Sequence, residues 1–370
     1  MNNNIRWLRD KIKMQNLQGI IISNPINIKY LIGVDAEGTL LITPKENVFI
    51  TDGRYIEYVN NTLTIDDEII ICDVKDISKE DYENFFIFCE NVGFEEEYVT
   101  YAKYKNFMHR YKINSLNETE GIIEKQRMIK DTEEIAKIKK ACEITDRCFE
   151  HLKSYIKIGL TEKQIAKEID EFFVNNGAEG NSFNTIVASG KNSSKPHAVP
   201  TDRVIEAGDP IVIDMGCVYK GYCSDMTRTV FAGFIPEEIK PVYELVLKNQ
   251  KQVIDELCEG ANLKNISRMV EGDFKLRGYD FIHALGHGVG MEVHELPFMS
   301  TKIDFILKSN MVVTNEPGIY IPDKFGVRIE DTVVVYKGMS ETLTKSEKDY
   351  VIVDQKAWFF AKNSVLLYSY

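Results

Sequence analysis

The sequence predicts an α/β (α+β) chain of two domains, the second laid out as two rounds of helix, helix and acid-bearing strand hairpin. At 370 residues the chain is long for one core, and its 44% apolar and 28% charged content is that of an ordinary globular protein. Up to about residue 120, short apolar runs alternate with amphipathic segments. From Lys125 the pattern changes to long helical stretches, followed by apolar runs that climb to an acid.

Taken in order, an amphipathic helix carries Trp7, Leu8, Ile12 and Met14, and leads to the strand Gly19-Ile20-Ile21-Ile22 and a turn at Asn24-Pro25. Strands are expected at Thr39–Thr43, Asn47–Thr51 and Ile69–Asp73, with a helix over Gly53–Asn61 entered through the turn Asp52-Gly53-Arg54-Tyr55. The polar stretch Asn114–Glu120 marks the domain boundary, giving domains of residues 1–120 and 121–356. Asp131-Thr132-Glu133-Glu134 opens a helix with an N-cap and first-turn acids, and Ile135, Ile138, Ala141, Cys142 and Thr145 follow helical spacing. A second helix starts at Leu160-Thr161-Glu162 with Ile165, Ile169, Phe172 and Phe173. After the first acid hairpin the order repeats, with helices near Pro236–Glu259 and Leu263–Arg277. This suggests an internal duplication with the site between its halves, although no residue-level repeat is visible. The tail 357–370, with Trp358, Phe359, Phe360, Leu366 and Leu367, is apolar enough to pack as a strand or to meet another chain.

Asp214, Asp225, Glu316 and Glu330 come as two hairpin pairs. Ile211-Val212-Ile213 climbs to Asp214, and with a turn centred on Tyr219 and Lys220 that acid lies about opposite Asp225. Glu316 and Glu330 are symmetric about Asp323 in the stretch Pro322-Asp323-Lys324. Like charges facing across a ladder are destabilising, and a hard divalent cation between them reverses the sign. Four of the six histidines, His197, His283, His287 and His294, lie in the same half of the chain. His283 and His287 stand four apart in glycine-rich sequence, where the backbone can approach a ligand closely. Neutral imidazole ligates zinc, manganese or cobalt and also shuttles protons. Together these residues describe a site for two divalent cations. Cys217 and Cys223 flank the first turn, but acids suit hard cations better, and they read as small apolar strand residues.

The net charge of −12 argues against a nucleic-acid partner. No run approaches eighteen apolar residues, so no membrane span is expected. The start lacks a signal peptide's apolar core, and seven cysteines without paired spacing suggest reduced thiols in a cytoplasmic protein.

Five motifs follow one another: Ile213-Asp214-Met215-Gly216, Ser224-Asp225-Met226-Thr227-Arg228-Thr229, Gly286-His287-Gly288-Val289-Gly290, Asn315-Glu316-Pro317-Gly318 and Arg328-Ile329-Glu330-Asp331. In this order they resemble the metallopeptidases of the pita-bread fold, the group of Xaa-Pro dipeptidases (prolidases) and Xaa-Pro aminopeptidases. The resemblance covers most of the chain and is weakest before residue 120 and after 355. It implies an N-terminal mixed α/β domain that helps form the substrate mouth, a pita-bread catalytic domain and a homodimer. It also implies that Asp214 and Glu330 bridge two metals, that Asp225 completes one metal site, and that His287 with Glu316 completes the other. His197 and His294, in Pro196-His197-Ala198 and Val293-His294-Glu295, match histidines around the metals, and His283 matches a further one. Asn315 departs from the branched apolar residue usual there.

The activity implied is hydrolysis of the peptide bond before proline, through a water made acidic by the shared cations. Manganese is the expected metal, with cobalt and zinc as alternatives. Glu316 is the candidate for proton transfer. His197 and His294 are candidates for steadying the oxyanion or protonating the leaving nitrogen. Arg328, two residues before Glu330 on the same strand face, either binds a substrate carboxylate or orients an acid. The motifs do not separate dipeptidase from aminopeptidase, while the compact length favours the dipeptidase. A creatinase-like hydrolase would have lost metal ligands. A binding protein on this fold is opposed by the intact ligands, and a methionine aminopeptidase by the size of the N-terminal domain.

Overall fold

The computed structural model describes residues 3–63 and 68–355, so the apolar tail 357–370 lies outside the described residues. Contacts divide the chain between Gln126 and Arg127 rather than at residue 120. The first unit runs α1 (Asn3–Met14), β1 (Gly19–Ile22), α2 (Pro25–Ile32), β2 (Gly38–Ile42), β3 (Asn47–Thr51), α3 (Ile56–Thr62), β4 (Ile69–Asp73), α4 (Lys79–Asn84), β5 (Val92–Phe94), α5 (Tyr101–Tyr111), β6 (Leu116–Glu118) and α6 (Ile122–Arg127). Its six strands form one mixed sheet in the order β4-β3-β2-β1-β5-β6.

Strand β1 shows why an uninterrupted isoleucine run belongs in the middle of that sheet. Side chains alternate across a strand, so Ile20 and Ile22 enter the core shared with Ile5 and Leu8 of α1, while Ile21 enters the opposite one with Phe86 and Tyr111. Full burial of one such isoleucine contributes roughly 1.5–3 kcal/mol. Asn24-Pro25 proves to be a helix start rather than an isolated turn. The Asn24 side chain accepts from the Ile26 N–H, Pro25 fills the first helical turn, and Gly33 at φ 71° closes α2. Leu116–Glu118 of the expected boundary forms β6 against β5, and Ile122 and Ile123 pack into the first unit's core, which moves the division beyond them.

The second unit continues with α7 (Thr132–Tyr155), α8 (Glu162–Asn175), β7 (Gly180–Asn181), β8 (Ile186–Ser189), β9 (Pro210–Met215), β10 (Cys217–Tyr219), β11 (Tyr222–Cys223), β12 (Met226–Ala232), α9 (Lys240–Glu256), α10 (Leu263–Leu276), β13 (Gly286–Gly288), β14 (Glu295–Met299), β15 (Val312–Asn315), β16 (Gly318–Ile321), β17 (Phe325–Arg328), β18 (Asp331–Tyr336), β19 (Met339–Thr342) and β20 (Ile352–Val353). Reciprocal capping boxes open both α7, through Asp131 and Glu134, and α8, through Thr161 and Gln164. Helices α7 and α8 pack on the sheet β20-β12-β9-β8 through Ile144, Phe149, Ile165 and Phe173. Helices α9 and α10 pack on the strands of the second half through Val246, Val253, Val270 and Phe274. The order helix, helix, strands recurs in both halves, but α7 also packs across to the second through Ile135, Ile138 and Cys142 against Val312 and Val334. No helix among the described residues is long and apolar enough to cross a membrane.

Candidate metal centre

The expected acids sit on strands or at strand ends. Asp214 lies in β9 and His287 in β13, Glu316 directly follows β15, Asp225 directly precedes β12, and Glu330 joins β17 to β18. The second pair has the predicted symmetry. Gly318 faces Arg328 and Ile321 faces Phe325 around Pro322-Asp323-Lys324, with Asp323 at φ 61°. The first pair does not. Its turn is centred on Lys220 and Gly221, at φ 48° and 75°, rather than on Tyr219 and Lys220, and positive φ at both central positions is what a type I′ hairpin turn requires. Asp214 therefore faces Thr227, and Asp225 lies two residues nearer the turn.

The shift leaves both acids in one site. All five predicted ligands, with His197, His283, His294 and Arg328, line a cavity of about 500 Å³. One ligand atom each from Asp225, His287 and Glu330 lies within 4.8 Å of the others, and all three residues are buried. His287 Nε2 stands 3.6 Å from Asp225 Oδ2 and 3.4 Å from Glu316 Oε1. Asp214 Oδ1 is buried with no hydrogen-bond partner, and Oδ2 accepts from Arg328 Nη2 at 2.6 Å.

Burial and mutual repulsion set the electrostatics. Burial, then the charges of Glu330, Asp214 and Glu316, hold the Asp225 carboxyl well above the usual range. Glu330 is pushed up in the same way by burial, Glu316 and Asp214, and Glu316 is raised to about 7 by burial and Asp214. Burial and the neighbouring His294 lower His287 to about 4, so it is a neutral ligand at ordinary pH. Without cations this cluster keeps protons on its acids, whereas divalent cations neutralise the repulsion and give the orphaned Asp214 oxygen a partner. The donors are carboxylate oxygens and imidazole, with no thiolate lining the cavity. Cys217 and Cys223 are buried among apolar side chains with their thiols pushed up by burial, and all seven thiols are unpaired. Hard divalent cations fit this set.

The second reading of Arg328, orienting an acid, is the one its contacts support. Nε donates to Thr227 Oγ1, Nη1 to Pro196 O and Tyr320 Oη, and Nη2 to Asp214, which engages four of a guanidinium's five N–H groups. Too little of the fork remains for a bidentate grip on a substrate carboxylate. His283 Nε2 stands 3.2 Å from Tyr320 Oη, and burial with the nearby Arg328 charge lowers its pKa to about 4. The His294 ring lies edge-on to His287 at 4.3 Å between centroids, with its pKa lowered chiefly by burial. His197 is exposed at the cavity edge.

Several contributors escaped sequence reasoning. Thr227 Oγ1 donates to Glu330 Oε2 at 2.6 Å, and the period of two from Asp225 along β12 could have flagged it. Tyr320 bridges Arg328 and His283, without any sequence signal beyond its place on the second hairpin. Glu295, next to His294, is buried and accepts from Lys130 Nζ at 2.6 Å and Arg127 Nη2 at 2.7 Å, both also buried. These cations hold its carboxyl below the usual range against the effect of burial. A Cβ on Gly290 would stand 2.3 Å from Glu295 Oε1, so a side chain there would have to displace the carboxylate from this ion cluster. Breaking a buried ion pair from one side leaves uncompensated charge, so Glu295→Gln is expected to destabilise the fold by roughly 3–5 kcal/mol. Denaturant unfolding checks this, and an unchanged midpoint would show that the cluster is dispensable.

Known proteins can now be set beside this geometry. Residues 136–337 match the model of metallopeptidase family M24, and residues 5–129 match the creatinase/prolidase N-terminal domain. The Xaa-Pro dipeptidase of Pyrococcus furiosus is 40% identical over 262 residues, 70% of this chain and 75% of its own. The solved structure of an Xaa-Pro dipeptidase from Bacillus anthracis superposes with a TM-score of 0.89 at 34% identity, covering 95% of this chain and 99% of that one. The X-Pro aminopeptidase of Thermotoga maritima gives a TM-score of 0.84 at 32% identity, over 93% of this chain and all of that one (100%). With a carboxylate and imidazole cavity where the family motifs fall, the chain belongs to metallopeptidase family M24, as a metal-dependent hydrolase behind a creatinase/prolidase N-terminal domain.

Proposed function

We propose that the protein is an Xaa-Pro dipeptidase that hydrolyses the bond before proline with two divalent cations, manganese first among the candidates and cobalt and zinc after it. The observation that carries this reading is the convergence of Asp214, Asp225, His287, Glu316 and Glu330 in one cavity beside His197, His283 and His294. The Pyrococcus and Bacillus dipeptidases support the proline specificity. Asp214, Asp225, His287, Glu316 and Glu330 would hold the two cations between them. When bound, such a pair supplies a water acidified to near neutral pH and polarises the scissile carbonyl.

The chain's own groups do the rest. Arg328 and Thr227 fix the oxygens of Asp214 and Glu330, so the ligand set is held before substrate arrives. Glu316, raised to about 7 by burial and Asp214, is assigned the proton removed as the carbonyl is attacked. His294, beside His287, and His197, at the cavity edge, are assigned to the oxyanion and to the proton the prolyl nitrogen needs on leaving. The prolyl nitrogen leaves as a secondary amine, so it must gain a proton from such a group as the C–N bond breaks. Seven unpaired thiols support a reducing, cytoplasmic setting, and the family's dimeric habit supports a homodimer.

The Thermotoga relative favours a second reading, an aminopeptidase acting on longer Xaa-Pro peptides. Comparing kcat/KM on Xaa-Pro, Xaa-Pro-Yaa and Xaa-Ala after manganese loading separates the two. The dipeptide is expected to lead and Xaa-Ala to be a poor substrate. Higher efficiency on Xaa-Pro-Yaa establishes the aminopeptidase, and equal turnover of Xaa-Ala removes the proline assignment altogether.

A further inference from the structure

The geometry points to Glu162 as a positioning residue for His197, acting through the loop between β8 and Thr201; this rests on the reading of His197 as a group that acts on the scissile bond. Glu162 opens α8 and is fully buried, yet among the described residues no lysine or arginine donates directly to its carboxylate. It takes five hydrogen bonds from one loop. Oε1 accepts from Ser189 N at 2.7 Å and Ser189 Oγ at 2.8 Å. Oε2 accepts from Asn192 Nδ2 at 2.9 Å, Thr201 N at 2.9 Å and Thr201 Oγ1 at 2.7 Å. Ser189 Oγ in turn accepts from Arg203 Nη1 at 2.6 Å, which brings a positive charge to the carboxylate through one hydroxyl.

These contacts close a ring of chain. Ser189 and Thr201 are pinned to the same carboxylate, and Pro196-His197-Ala198 is the part of the ring that faces the cavity. On that side, Ser193 Oγ accepts from Gly326 N at 2.9 Å and Pro196 O accepts from Arg328 Nη1 at 3.1 Å. The loop is therefore clamped between Glu162 and the strand that carries Arg328. His197 itself is exposed, so its place is set by the backbone that carries it. A buried carboxylate costs desolvation unless its lone pairs are filled, and here five donors fill them only when the loop is closed. The closed loop is thus a consequence of Glu162.

Glutamine at this position keeps the shape but turns an amide nitrogen toward donors, which loses at least the bond from the Ser189 or the Thr201 backbone N–H. In manganese-loaded Glu162→Gln, kcat on Xaa-Pro is expected to fall about a hundredfold, the cost of a catalytic group misplaced by about an ångström. Metal content stays at the wild-type value, and amide hydrogen exchange quickens within residues 189–201. The deciding readout is a double-mutant cycle with His197→Ala. If Glu162 acts through His197, Glu162→Gln costs nothing further in the His197→Ala background. An equal fall in both backgrounds, a loss of metal, or unchanged exchange across 189–201 overturns the inference. Should Glu162→Gln fail to fold, Thr201→Val removes one of the five bonds with Glu162 intact. It is expected to cost several-fold in kcat in the wild-type background and nothing in His197→Ala, and equal costs again overturn the assignment. Wild-type protein inactive on Xaa-Pro would instead refute the proposed function, and the exchange measurement would still decide whether Glu162 closes the loop.

Discussion

Asp225→Asn is expected to hold fewer than two divalent cations per chain and to turn over Xaa-Pro no faster than background. Asp225 is buried, with a carboxylate oxygen within 4.8 Å of ligand-capable atoms of His287 and Glu330, where a cation would be held. An amide is a poor ligand for a hard cation. Its loss also leaves less positive charge to offset the repulsion among Asp214, Glu316 and Glu330, the repulsion that helps raise Glu316 to about 7. The same physics predicts a proton count. In the metal-free protein the acids keep protons that an isolated carboxylate would have released, so cation uptake must displace them. Uptake therefore releases protons, and the Glu316 share of that release makes affinity rise with pH below about 7, the value to which burial and Asp214 raise it, and level off above. Calorimetry in two buffers of different ionisation enthalpy reads this release. Two tightly held ions in Asp225→Asn, or uptake without proton release at pH 6, would contradict the ligand assignment.

His294→Ala is the complementary case: both cations stay and the rate goes. The ring lies against His287 at 4.3 Å and lines the cavity, with its loop held by the Glu295 ion cluster. Its lowered pKa leaves it neutral at working pH, able to present an N–H to developing negative charge. Groups of this kind contribute about a hundredfold to ten-thousandfold in rate. The expected variant has wild-type metal content, little change in KM and a kcat lowered within that range. Near wild-type turnover would make His294 a packing residue of the cluster.

The five residues that meet in the cavity were legible because each lies in or beside an apolar or glycine-rich strand, where period and spacing carry information. The pair Glu316 and Glu330 was placed in correct register from its symmetry about Asp323 alone. The pair Asp214 and Asp225 was misplaced by two residues, because the conformation of Lys220 and Gly221 fixes the register and a lysine does not announce a positive φ. In the first unit, Pro25 reads equally well as a turn and as a helix's first residue. Only the Asn24 cap and the packing of Ile28 and Leu31 choose between them. The supporting residues were the least legible. Glu295 lies far in sequence from Arg127 and Lys130, and meets them only when β14 folds against the segment before α7. Glu162 looks like an ordinary first-turn acid of a capped helix until the loop it holds is seen.

The activity of verified metal-free protein on an Xaa-Pro dipeptide, followed as manganese is added back, tests the central claim most directly. The carboxylate site predicts no turnover without metal and recovery that saturates near two equivalents per chain, with cobalt also effective. Full activity in the metal-free protein would contradict it.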